Sequence, residues 1–120
     1  MEMMKVLIVD DNETLTSLLK EVLETEGLCD VKTADNGETG YNAFLKFKPD
    51  VILTDIEMPV KNGLDMIKDI RVHDPEIKTI YMSGDLKRYK TRLEIEKTEH
   101  HADLVNKPLC FSKILGLFHA

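Results

Sequence analysis

The chain has 120 residues, which is one domain by length and enough to bury a core without disulfide or metal staples. Hydrophobic residues make up 42% and charged residues 32%, the balance of a soluble globular domain, and a net charge of -6 argues against direct nucleic-acid binding, which needs clustered Lys and Arg. Cys29 and Cys110 are too few and too far apart for a disulfide framework or a zinc site, and no apolar run approaches the roughly 18 residues of a membrane span. They read as reduced thiols of a cytoplasmic protein, and MEMMKVLIVD is no signal peptide because its short apolar stretch leads into two acids without a cleavage site.

In chain order, KVLIV (Lys5–Val9) predicts a first strand, unbroken rather than alternating, and therefore covered on both faces. Asp10 and Asp11 follow it. Leu15, Leu18, Leu19, Val22 and Leu23 then repeat with helical spacing until Gly27 supplies a stop. DVKTA (Asp30–Ala34) alternates and predicts an edge strand. Asn36 is placed to cap a second helix carrying Tyr41, Phe44 and Leu45. VILTD (Val51–Asp55) is a second doubly covered strand that ends on an acid. Asn62-Gly63 opens a third helix with Leu64, Ile67 and Ile70, and KTIYM (Lys78–Met82) predicts the fourth strand, followed by Ser83-Gly84.

The segment from Leu86 to about His100 is a weaker helix, with only Leu86, Tyr89 and Leu93 on one face. Its basic run KRYK, Lys87–Lys90, reads as a solvated face balanced by Glu94, Glu96 and Glu99. ADLVN (Ala102–Asn106) is a short fifth strand ahead of Lys107-Pro108, and Phe111, Ile114, Leu115 and Phe118 mark a last helix running to the C-terminus. The prolines agree: Pro49 and Pro75 precede strands, while Pro59 and Pro108 follow them. The pattern is (βα)5, a doubly wound five-stranded parallel sheet with right-handed crossovers.

In such sheets the site lies outside the carboxyl ends of the strands. Asp10, Asp11, Asp55, Ser83 and Lys107 all fall there. Singly, an acid after a strand is more often a cap or turn residue. Together they are harder to dismiss. Carboxylates about 4 Å apart repel by roughly 4 kcal/mol per pair at an effective dielectric of 20, which a raised pKa or a cation relieves. Oxygen donors without His or Cys suit a hard ion such as Mg2+. A metal, the Lys107 ammonium and the Ser83 hydroxyl facing one carboxylate are the parts of phosphoryl transfer, with Asp55 as the nucleophile.

KVLIVDDN, DVILTDIEMPVKNGLDMI, TIYMSG and VNKPL, taken together, resemble the receiver domain of two-component response regulators over essentially the whole chain. DxxMPxxxG after the third strand is the most distinctive motif. The resemblance implies a flavodoxin-like sheet with strand order 2-1-3-4-5, an order that periodicity alone does not give. It implies Asp55 as phosphoacceptor and Asp10, Asp11, Asp55 and the main-chain carbonyl of Glu57 as Mg2+ ligands. Ser83 and Lys107 would bind the phosphoryl oxygens, and the Lys107–Pro108 bond would be cis. Glu57 and Asp85, flanking the pocket, would be exposed and would repel anionic donors. The family often has Tyr or Phe three residues before the lysine; here that position is Leu104, so the usual coupling of Ser83 to an aromatic switch is in question.

The expected activity is that of a signalling domain rather than an enzyme. A sensor histidine kinase or phosphotransfer protein would donate the phosphoryl group, and a downstream effector or a separate output domain would read it. One receiver domain is expected over residues 1–120, with no output domain in this chain. The alternatives are a metal-dependent phosphohydrolase working through Asp55 and Glu57, and a scaffold independent of phosphorylation. The absence of GxGxxG after the first strand disfavours dinucleotide binding.

Overall fold

Val6, Leu7, Ile8 and Val9 are all fully buried, because the strand that carries them is covered on both faces. The computed structural model describes residues 3–27 and 29–118. Expectations for Met1 and for the last helix reaching Ala120 lie outside the described residues. Five strands, β1 (Met4–Val9), β2 (Cys29–Ala34), β3 (Val51–Asp55), β4 (Lys78–Ser83) and β5 (Ala102–Asn106), form one sheet in the order β2-β1-β3-β4-β5. Every pairing is parallel. The helices between them are α1 (Glu13–Thr25), α2 (Gly37–Phe47), α3 (Gly63–Ile70), α4 (Lys90–Glu99) and α5 (Phe111–Phe118).

Alternate residues of each strand feed two separate cores. Val6, Ile8, Leu53, Ile80, Met82 and Val105 pack with Leu19 and Leu23 of α1 and Ile114 of α5. Leu7, Val9, Ile52 and Tyr81 pack with Phe44 of α2, Leu64, Met66, Ile67 and Ile70 of α3 and Leu93 of α4. The alternating DVKTA run does form an edge strand. Its neighbour β1 is central, so its apolar run never breaks.

The helix starts follow local chemistry. Asn12, Asn36 and Asn62 each accept a backbone N–H of the first turn with their side chains, which satisfies donors that a helix leaves unpaired. At the other end of α1, Gly27 takes φ +75, a conformation few side chains tolerate. Two of the expected apolar positions are exposed. Leu18 and Leu45 lie 44% and 42% open, each next to a buried residue of its helix (Leu19, Phe44), so the stripe against the sheet is narrower than the sequence implies.

The segment before β5 differs from the sequence expectation. A 3-10 turn at Leu86–Tyr89 precedes α4, and only Leu93 of α4 is buried. The helix is anchored instead by polar groups. Arg71 Nη1, at the end of α3, donates to Glu96 at 2.7 Å, and Tyr81 of β4 donates its hydroxyl to the same carboxylate. The Arg71 and Glu96 side chains are only 11% and 13% exposed. Glu96 therefore does not belong to the solvated face that balances KRYK. Burial, and then Glu96, push the Tyr81 phenol above the usual tyrosine range. Arg71 Nε and Nη2 find no hydrogen-bond partner among the described residues.

A helix with one buried apolar residue depends on such a contact. Removing one member of a buried pair strands the other charge. Glu96→Ala is expected to cost about 2–4 kcal/mol in urea denaturation, and Tyr81→Phe about 1 kcal/mol. Equal, near-zero losses in both variants would show that the network does not hold α4.

Candidate functional site

The carboxyl edge of the sheet gathers side chains from four strands. Asp10 directly follows β1 and is 1% exposed. Its backbone N–H reaches Ala34 of β2, and its Oδ1 accepts the N–H of Asn12 at 2.9 Å, so the turn into α1 fixes its carboxylate. Asp55 closes β3 and is 7% exposed. Asp11, beside Asp10, is exposed. One carboxylate oxygen from each of Asp10, Asp11 and Asp55 lies within 4.8 Å of the others.

Lys107 enters this cluster from the far side of the sheet. Its backbone N–H donates to the carbonyl of Ser83 at 2.9 Å, extending the β4–β5 pairing by one residue, and its bond to Pro108 is cis. Its ammonium lies 2.8 Å from Asp10 Oδ2 and 3.4 Å from Asp55 Oδ2. Ser83 closes β4 and is buried, and its Oγ accepts the N–H of Asp85 at 2.9 Å. Its own hydroxyl proton remains available to donate.

The electrostatics follow from these distances. Burial, then the charge of Asp10, push Asp55 up to about 6, against the opposing pull of Lys107. For Lys107 burial acts downward, but the hydrogen bond and charge of Asp10, joined by Asp55, outweigh it and leave the ammonium above its usual range. The two directions are compatible because the ammonium sits closer to Asp10 and only partly compensates Asp55. Three carboxylates thus face one ammonium. The excess negative charge, the all-oxygen donor set and the exposure of Asp11 fit a hard divalent cation that keeps some of its waters.

A shallow hollow opens over Asp55, walled by Ser83, Gly84 and Lys107. Glu57 and Asp85 stand exposed on its rim, as the sequence predicts. Arg88 also lines it, with its guanidinium 3.6 Å from Glu57. Sequence reasoning missed Arg88 by reading it into the solvated KRYK face. The available signal was the spacing to Asp85, which caps the 3-10 turn by accepting the Arg88 N–H at 3.3 Å. Leu104 lies partly buried on β5, opposite Tyr81 of β4, and no aromatic side chain occupies its place.

The loop after Asp55 is tightly held. Gly63 N–H donates to Ile56 at 2.8 Å, and a Cβ at Gly63 would collide with the Asp55 carbonyl oxygen. The Lys61 N–H reaches the Pro59 carbonyl at 2.8 Å across Val60, whose φ is 71. That is a γ-turn of the rarer, positive-φ kind, strained for a β-branched residue.

Comparison with known proteins bears on all of this geometry. The profile of the response regulator receiver domain matches residues 6–118. Protein CcdB of Bacillus subtilis is 33% identical over 114 residues, covering 94% of this chain and 92% of its own length. The transcriptional regulatory protein CpxR of Klebsiella pneumoniae is 48% identical over 69 residues, 58% of this chain and 29% of CpxR. The chemotaxis response regulator CheY4 of Vibrio cholerae has the same fold, with a TM-score of 0.83 over 98% of this chain and 97% of its own, at 24% identity. These likenesses favour neither the phosphohydrolase nor the scaffold.

Two outcomes are expected. Val60→Gly relieves the turn strain and raises stability by about 1 kcal/mol net of glycine's entropy, read in urea melts; a less stable variant would rule out strain. Asp55 is held above its ordinary range, so with EDTA present its ionisation opposes folding. Stability of the parent therefore falls as pH rises from about 4 to about 6 and then levels. Asp55→Asn lacks this loss and is expected to be more stable at pH 7.5 by about 1–2 kcal/mol, the gap closing near pH 4. A gap that does not change with pH would contradict the assignment.

Proposed function

The chain belongs to the response regulator receiver domain family, and from that premise we propose that Asp55 accepts a phosphoryl group and that the aspartyl phosphate switches partner binding. Receiver domains are signalling domains that work between histidine kinases and effectors. The observation that carries the assignment to Asp55 is the convergence of Lys107 on both Asp55 and Asp10, at 3.4 and 2.8 Å.

In this reading an Asp55 carboxylate oxygen attacks the phosphorus of a phosphohistidine on a sensor kinase or phosphotransfer protein. The O–P bond forms as the P–N bond breaks, and the imidazole nitrogen leaves with the electron pair. Asp10, Asp11, Asp55 and the main-chain carbonyl of Glu57 would hold Mg2+, which when bound offsets the charge of the oxygens drawn together. Lys107 meets one phosphoryl oxygen with its ammonium, and Ser83 donates its hydroxyl proton to another. Burial of Asp55 limits the access of bulk water to the new acyl phosphate, and its hydrolysis by a water entering past Glu57 and Asp85, with the O–P bond breaking, the Asp55 carboxylate leaving with the electron pair and inorganic phosphate released, returns the domain to its resting state. Movement of Ser83 and Lys107 towards the phosphoryl group pulls on β4 and β5 and so on the neighbouring α4, where an effector or output domain reads the change. The setting proposed for this exchange is the cytoplasm.

Incubation with acetyl phosphate and Mg2+ followed by intact-mass measurement tests the reading. One adduct of about 80 Da is expected, the mass of a single phosphoryl modification. It should be absent in Asp55→Asn and strongly reduced when EDTA replaces the metal. Adducts that persist in Asp55→Asn would move the site elsewhere, and sustained turnover of simple phosphate esters would favour a phosphohydrolase.

A further inference from the structure

The mouth of the Asp55 hollow carries two exposed acids, Glu57 and Asp85. Left alone they would repel any anionic phosphodonor that approaches. They are not alone, because the 3-10 turn brings Arg88 between them. A run of hydrogen bonds starts inside the pocket and ends at this residue: Ser83 Oγ accepts the Asp85 N–H at 2.9 Å, and Asp85 Oδ1 accepts the Arg88 N–H at 3.3 Å. The backbone of Arg88 is thereby tied to the pocket wall, while its exposed guanidinium is held, among the described residues, only by Glu57 at 3.6 Å and by the Tyr89 ring at 5.6 Å.

The two cations of the pocket differ in what they are doing. Lys107 is inside, 26% exposed, and engaged with Asp10 and Asp55. Arg88 is outside, 64% exposed, and faces Glu57 at 3.6 Å, longer than a charge-assisted hydrogen bond. A half-solvated pair at that distance is weak. The guanidinium can leave Glu57 without great loss, and its planar fork suits two oxygens of one phosphoryl group better than a single distant carboxylate.

We propose that Arg88 is the donor-facing cation of this receiver, parked on Glu57 at rest and transferred to the phosphoryl oxygens of an incoming anionic donor, so that it selects donors by charge. This rests on Asp55 as the phosphoacceptor. It also revises the expectation that Glu57 and Asp85 act as bare repelling acids. Glu57 competes for Arg88, and neutralising Glu57 should therefore release the cation as well as remove a negative charge.

Two small donors separate the effect. Acetyl phosphate is a dianion near neutral pH; its P–O bond breaks and acetate leaves with the electron pair. Phosphoramidate carries a protonated nitrogen and less net negative charge; its P–N bond breaks and ammonia leaves with the pair. In both, the Asp55 O–P bond forms. Phosphorylation rates are measured by intact mass for the parent, Arg88→Gln, Arg88→Lys and Glu57→Gln, at low and high salt.

Arg88→Gln is expected to slow acetyl phosphate about five- to tenfold while changing phosphoramidate by less than about twofold, with the difference shrinking at high salt. Arg88→Lys should restore a substantial part of the rate, and Glu57→Gln should speed acetyl phosphate. An Arg88→Gln variant that slows both donors equally would assign Arg88 to the architecture of the turn, and one that slows neither would remove it from the reaction; either overturns the proposal. If the parent itself takes no adduct from either donor, the reading of Asp55 fails first. Parent labelling with an unaffected Arg88→Gln overturns only the present inference.

Discussion

A single ammonium, that of Lys107, links residues 97 positions apart by reaching Asp10 from the far side of the sheet, with Asp55 next to it. The rest of the carboxyl edge is arranged around that contact. Two buried carboxylates side by side would otherwise leave one of them protonated through most of the neutral range, or push the strand ends apart. One ammonium moderates this without abolishing it: burial, and then the charge of Asp10, still push Asp55 up to about 6. A site left short of positive charge has a standing affinity for cations. That deficit suits a hard divalent cation at the Asp10, Asp11 and Asp55 carboxylates.

The same edge illustrates how a parallel sheet converts order in the chain into a site. The inner strands β1, β3 and β4 are buried on both faces, so most of their side chains are consumed by packing until the strand ends. The strand ends are where charged groups can face the pocket. Asp55 and Ser83 close β3 and β4, and Asp10 and Lys107 directly follow β1 and β5, on four neighbouring strands. The turns that follow are held by local bonds: Asn12 to Asp10, Gly63 to Ile56, Asp85 to Ser83. The strained turn at Val60 belongs to the same set, because it folds the chain back so that Gly63 can pass beneath the Asp55 carbonyl.

The α4 region is built on a different principle from the rest. It has one buried leucine and a polar anchor in which Arg71, Tyr81 and Glu96 share a pocket of low exposure. Tyr81 lies two residues before Ser83 on β4 and opposite Leu104 on β5. The aromatic ring next to α4 is therefore carried by β4, and it is tied down by its hydroxyl. A helix held by directional polar contacts has a more discrete set of positions than one held by a broad apolar face, and it lies beside the strand that ends in Ser83.

The sequence by itself determined the strand and helix order, the two central strands, the edge strand, the Asn36 cap and the family. It did so because those features are local: periodicity, caps and turn residues are written in consecutive positions. The residues at the carboxyl edge were legible for the same reason, since each ends its strand or lies just beyond it. What only the tertiary structure decided was which charges meet. Nothing near Glu96 in the chain says that Arg71 and Tyr81 will enclose it, and nothing in KRYK says that its arginine turns towards Glu57 while its lysines stay on the outside. Leu18 and Leu45 likewise continue a helical spacing that the neighbouring elements do not cover. Pairings across distant segments depend on the crossing of α3, β4 and α4, and that crossing is fixed by the packing of the whole sheet, not by any single stretch of chain.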